Sequence, residues 1–190
     1  LLSLVELVNI DGVCDGNPAA TAALERAVSL AKQDLLTPLV VEFTGLQGYV
    51  GGELAREQGE PEPVWRAIAE QYLPRRFTGR AAELPRTAAG CLLALLDRLD
   101  TLAGCFVLGL SPTGSRDPYG LRRAARGVIG ISSGVEGHAV RGFDQSRLDL
   151  APLLSAAVAG FHTAKKKEFD QEAVFSALVG MLTERAQRLY

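Results

Sequence analysis

The chain has 190 residues, 47% of them hydrophobic and 22% charged, with a formal net charge of −2 at pH 7. Such a length lets roughly 70% of the unfolded surface be hidden on folding, and the composition is ordinary for a globular protein, which excludes disorder as the default. A nearly neutral chain has no global field drawing it to nucleic acid or anionic lipid, so any basic surface has to be local.

Strands need apolar alternation or β-branched runs between turns, and there are almost none. Helical spacing recurs instead. Ala20 to Lys32 is alanine-rich and follows the start signal Asn17-Pro18. The glycines of LQGYVGG (residues 46–52) have neither the preceding strand nor the following lysine of a phosphate-binding loop, and are read as a tight turn between helices. Pro63 suits the first turn of a helix carrying Val64, Ile68, Ala69 and Tyr72, limited by Pro74.

The clearest helix runs from about Pro85 to Ala103. Leu92, Leu95, Leu96, Leu99, Leu102 and Phe106 form one apolar stripe along it and just beyond. Asp97 and Asp100 lie off the stripe. Asp97 reads as an exposed carboxylate pairing with arginines such as Arg98, and Asp100 as either that or a structural hydrogen-bond partner. A further helix is expected to open at Asp117-Pro118, with aspartate as cap and proline in the first position. The glycine-rich stretch 132–145 reads as a linker or mobile loop. Two helices, near Leu148–Phe161 and Asp170–Leu189, close the chain. The sum is an all-α bundle of six to eight helices.

Three cysteines, Cys14, Cys91 and Cys105, are too few and scattered for a disulfide framework or a zinc knuckle. Cys91 and Cys105 lie in apolar helical patterns, which points to core packing in a reducing, cytoplasmic compartment. No apolar run reaches the ~20 residues of a bilayer span. The opening LLSLVELVNIDG has no basic segment before it and no small-residue cleavage site after it, unlike a signal peptide. The chain opens on Leu1, and its only methionine is Met181, as expected of part of a longer polypeptide.

Candidate chemistry is sparse. The two histidines, His138 and His162, have no partner at metal-ligand spacing, so no metal site is expected. Basic residues do cluster. Arg75, Arg76 and Arg80 stand without an acid between residues 71 and 80, and Arg116, Arg122, Arg123 and Arg126 meet only Asp117. Arg122 and Arg126 are one helical turn apart with Arg123 beside them, forming a guanidinium ridge opposite the buried side of Leu121, Ala124, Ala125 and Val128. Planar guanidinium groups can bond two phosphate oxygens at once. A solvated helix face would look the same. The tract Lys165 to Lys167 is followed by Glu168 and Asp170 and reads as a solvated loop.

The runs AKQDLLTPLVVEFTGLQGYVG (31–51), QYLPRRF (71–77) and LDRLDTLAGCFVLGLSPTGSRDPYGLRRAARGVIGI (96–131) together resemble the β subunit of bacterial heterotetrameric glycyl-tRNA synthetases. The last block is the most specific. The resemblance departs at Thr44-Gly45 and Ser111, where the family tends to carry Pro-Glu and lysine. It implies an internal HD-like helical domain, similar in fold to metal phosphohydrolases but without their ligand histidines. Its degenerate site positions would be Glu42 and Asp100. The implied layout is an HD-like domain over 1–131, a linker over 132–145 and a C-terminal helical pair over 146–190. The implied setting is an α2β2 ligase whose α subunit takes ATP, magnesium and glycine, while the β subunit contributes to recognition of tRNA(Gly). Expected partners are tRNA(Gly), the α subunit and the rest of the β subunit, with no membrane and no cofactor in this region. Arg116, Arg122, Arg123 and Arg126, then Arg75 and Arg76, are the expected tRNA-phosphate contacts, with no catalytic residue. The alternatives are a scaffold joining β-subunit parts or docking on α, and a residual phosphohydrolase.

Overall fold

The computed structural model describes residues 2–5, 10–14, 18–75, 77–78, 81–134, 140–164 and 168–188. Its helices are α1 (Leu2–Val5), α2 (Ile10–Val13), α3 (Pro18–Leu30), α4 (Pro38–Glu42), α5 (Tyr49–Glu57), α6 (Glu62–Glu70), α7 (Ala88–Val107), α8 (Leu121–Ser133), α9 (Leu150–Ala164) and α10 (Gln171–Gln187). Short 3₁₀ turns cover Gln33–Leu36, Thr44–Leu46 and Gln145–Arg147. A two-residue antiparallel pair, Phe77–Thr78 with Ala81–Ala82, is the extent of sheet among the described residues. The fold is an all-α bundle.

Its axis is α7. Thr87 caps it, accepting from Gly90 N at 3.1 Å while donating to Glu70 Oε2 at 2.7 Å. That fastens the end of α6 to the start of α7. The apolar stripe is as expected, but burial goes all the way round: every residue from Ala89 to Leu99 is buried. A helix enclosed on every side must be packed by neighbours on every side, and α3, α6, α8, α9 and α10 all pack on α7. This enclosure overturns the reading of Asp97 as an exposed carboxylate, since both Asp97 and Arg98 are only 9% exposed.

Small residues set the closest approaches. The glycines of LQGYVGG do not all make a turn. Gly48 does, at φ +81°, with its N–H donating to Asp34 Oδ2 at 2.5 Å. Gly51 and Gly52 instead lie inside α5, where a Cβ on Gly52 would stand 2.7 Å from the Ala69 methyl on α6. Likewise a Cβ on Gly104 would stand 2.9 Å from the Phe161 ring, which lets α9 seat on α7.

Helix α8 begins three residues later than expected. Pro118 and Tyr119 form a turn, Gly120 at φ +67° precedes the helix, and the first helical residue is Leu121. Asp117 still does a cap's chemistry: its two carboxylate oxygens accept from Leu121 N at 2.8 Å and Arg122 N at 3.0 Å. Asp170 caps α10 through Ala173 N at 3.0 Å. Among the described residues of α10, Leu178 is fully buried and Val179 is exposed.

Within 132–145, Ser132 and Ser133 complete α8. Val140 and Phe143 are buried as an antiparallel bridge, and Asp144 N donates to Val13 O at 2.8 Å. His138 lies outside the described residues, as does the tract Lys165 to Lys167. No helix among the described residues is long and apolar enough to cross a membrane.

Candidate nucleic-acid interface

The ridge is assembled by the segment that ends the 96–131 block. After α7, residues 113–116 fold into a tight turn in which Thr113 and Arg116 exchange backbone hydrogen bonds of 3.1 and 2.8 Å. Arg116 sits exposed there. Arg122 reaches back to this turn, its Nη2 donating to Gly114 O at 2.6 Å. Arg123 is exposed and lies over Gly120, where any Cβ would meet its guanidinium at 2.8 Å. Arg126 follows one turn along, half-buried. Four of the six arginines singled out from sequence therefore share one turn and one helix.

The ridge divides two clefts. On one side a cleft of about 630 Å³ runs between the 111–114 segment and α10, with Arg122 facing Glu184, Arg185 and Arg188. On the other a cleft of about 540 Å³ is walled by α7, the 44–47 turn and the start of α8, and Arg75, Arg98 and Arg123 line it. Spacing alone gave no sign of Arg185 and Arg188. Their place beside Arg122 depends on how α10 packs on α8.

Arg75 is turned into the fold. Nη1 donates to Gly45 O at 2.8 Å, Nη2 donates to Gln47 O, and the guanidinium lies 4.8 Å from the Tyr49 ring centroid and 6.0 Å from that of Tyr72. Its charge borders the cleft while its two Nη groups serve the protein's own carbonyls. Arg76 and Arg80 lie outside the described residues.

Arg98 does not pair with Asp97. Nη1 donates to Ala94 O at 2.7 Å and Gln71 O at 3.3 Å, and Nη2 donates to Tyr72 O at 3.0 Å and Pro74 O at 3.3 Å. One buried guanidinium thus satisfies the end of α6 and the turn after it, which explains why a charged residue is tolerated there. Burial pushes its pKa down to about 10; Asp97 opposes that shift and Arg123 adds to it. Asp97 instead pairs with Lys32 at 2.6 Å. Lys32 has a left-handed backbone, φ 65°, and its ammonium sits 5.6 Å from the Tyr72 ring centroid.

Glu42 is exposed at the end of α4, and Asp100 is half-buried on α7. Among the described residues no hydrogen bond or ion pair joins the two, and no three metal-ligating side chains converge. His162 falls in the last turn of α9, with its side chain outside the described set. Burial holds the Asp100 carboxyl above the usual carboxylate range, Asp97 adds to this and Lys32 opposes it. A carboxyl with a raised folded pKa binds its proton more readily folded than unfolded, so its ionised form costs stability at neutral pH and the cost fades as pH falls through the folded pKa. Asp100→Asn should therefore match or exceed the parent Tm at pH 7. Any gain should vanish below the ordinary aspartate pKa of ~3.9, as thermal scans at the two pH values would read.

With the geometry in place, comparison with known proteins is decisive on family. The family model described as "Glycyl-tRNA synthetase beta subunit" matches residues 4–190. The chain belongs to this family.

Curated relatives agree. A glycine–tRNA ligase beta subunit from Solidesulfovibrio magneticus is 39% identical over 175 residues, covering 92% of this chain and 23% of the relative. One from Shouchella clausii is 45% identical over 151 residues, covering 80% and 21%. One from Trichodesmium erythraeum is 53% identical over 109 residues, covering 57% and 15%. This beta-subunit chain thus spans less than a quarter of the length of each of these relatives.

Proposed function

We propose that this region of a glycyl-tRNA synthetase beta subunit, an HD-like helical body, grips the backbone of tRNA(Gly) and positions it for aminoacylation on the α subunit. The observation that carries the reading is the guanidinium ridge of Arg122, Arg123 and Arg126 on α8, extended by Arg116 on the preceding turn and flanked by two arginine-lined clefts. Such contacts add affinity without reading sequence. Arg75 and Arg76 are proposed as secondary contacts, Arg75 acting through its charge because its Nη groups are engaged. ATP, magnesium and glycine are handled on the α subunit in this reading, and the whole assembly works in the cytoplasm. Replacing both Arg122 and Arg123 by alanine in the holoenzyme should raise KM for tRNA about tenfold, equivalent to about 1.4 kcal/mol, and leave glycine activation unchanged. Unchanged tRNA kinetics would remove the proposal.

A second role is favoured by a different surface. Leu36, Leu39, Val41, Phe43 and Tyr49 are exposed, Leu36 at 85%, on a segment (33–55) with no lysine or arginine. Exposed apolar side chains grouped on one segment with no cation of its own suit contact with protein. This surface supports docking of the rest of the subunit or of α there, beside the tRNA-facing role of α8.

A further inference from the structure

The 540 Å³ cleft beside the ridge holds a charge imbalance of its own. Three guanidiniums line it, and its one lining carboxylate, Asp97, is already paired with Lys32. Arg75 and Arg98 are fastened by backbone carbonyls, so hydrogen bonds fix their positions; neither forms an ion pair with a carboxylate, and Asp97 acts on Arg98 through its charge alone. Arg75 Nε and the Tyr72 hydroxyl are buried there without a hydrogen-bond partner. Three guanidiniums against one lining carboxylate that is shared with Lys32 leave the cleft net positive, which is preorganised for an anion.

We propose that this cleft binds a phosphomonoester in the form of one nucleotide unit, either a free nucleotide or the phosphorylated end of an RNA strand. A dianionic phosphate complements three guanidiniums better than a single carboxylate would. Arg123, exposed at the mouth, supplies the planar donor fork, while Arg98 and Arg75 supply field from behind it. The volume falls in the range of small-molecule sites, roughly 300–1,000 Å³. Tyr119, 55% exposed on the rim, offers a ring on which a base can stack. The site does not depend on the tRNA reading, because a free mononucleotide can report on it alone.

The test is calorimetric titration of the full-length subunit with CMP, using cytidine as the phosphate-free control. CMP should bind at least tenfold more tightly than cytidine. Arg123→Ala should weaken CMP at least tenfold, and Thr101→Glu, which sets a carboxylate on the exposed cleft wall, should abolish binding. Both side chains are exposed, so both variants should keep the parent Tm. Arg66→Ala, which does not line the cleft, should bind CMP like the parent. A 5′-phosphorylated trinucleotide binding more tightly than CMP assigns the strand end, equal binding assigns the free nucleotide, and either result upholds the site. CMP no tighter than cytidine, or unaltered binding in both Arg123→Ala and Thr101→Glu, overturns it. Because Thr101→Glu leaves Arg116, Arg122 and Arg126 intact, it should remove CMP binding and spare the ridge's tRNA affinity, so the two readings can fail separately.

Discussion

Arg98→Ala should destabilise the fold by about 3–5 kcal/mol, as expected when one partner of a buried charged network is removed. The change strands three carbonyls, those of Gln71, Tyr72 and Pro74, while Ala94 O keeps its helical N–H partner. Each buried acceptor left unmet costs about 1–3 kcal/mol, so even partial rehydration leaves a large deficit. Arg98→Lys should recover only part of the loss, because an ammonium cannot span carbonyls on both sides of a planar fork. The arm of Arg98 also occupies the space a side chain at 127 would need, with its Cδ 2.8 Å from where the Cβ would stand. Gly127→Ala should therefore cost about 1–3 kcal/mol by overpacking, and Arg98→Ala with Gly127→Ala should cost less than the two changes summed. Urea unfolding midpoints of the four variants check all of this. Additive losses would mean that the arm does not hold α8 at its present distance.

Leu99→Ala should cost about 2–5 kcal/mol, the range for deleting a buried leucine side chain. Leu99 is fully buried on α7, whose surroundings are α3, α6, α8, α9 and α10. A cavity on the bundle axis is hard to collapse because closing it would need several helices to move at once. Leu99→Met keeps most of the volume and should cost under about 1.5 kcal/mol. If both variants lost the same stability, volume would not be what that position supplies.

The helices were legible because their signals are local. Leucine spacing marked α7, Pro63 marked the first turn of α6, and Asp117 was correctly read as a carboxylate serving the start of α8, although the helix itself waits for Gly120. The polar residues of α7 were not legible, because their partners are distant in sequence. Lys32 stands 65 positions before Asp97, and Arg98 is satisfied mainly by carbonyls of a turn more than twenty residues earlier. Off-stripe position argued for exposure, and enclosure by five helices cancelled that argument. The ridge divides the same way. Arg122 and Arg126 could be paired from an interval of four, whereas Arg185 and Arg188 join Arg122 only through the packing of α10 on α8. Gly51 and Gly52 resembled a turn because glycine permits one, but here they serve close helix contact, which composition does not distinguish.

The central claim is that α8 meets nucleic acid through phosphate contacts, and the salt dependence of tRNA binding by the holoenzyme tests it most directly. The slope of log K against log salt counts the phosphates neutralised, by about one per contact. Arg122→Ala combined with Arg123→Ala should lower that slope by about two while weakening all tRNA sequences alike. An unchanged slope, with affinity intact across the salt range, would contradict the account.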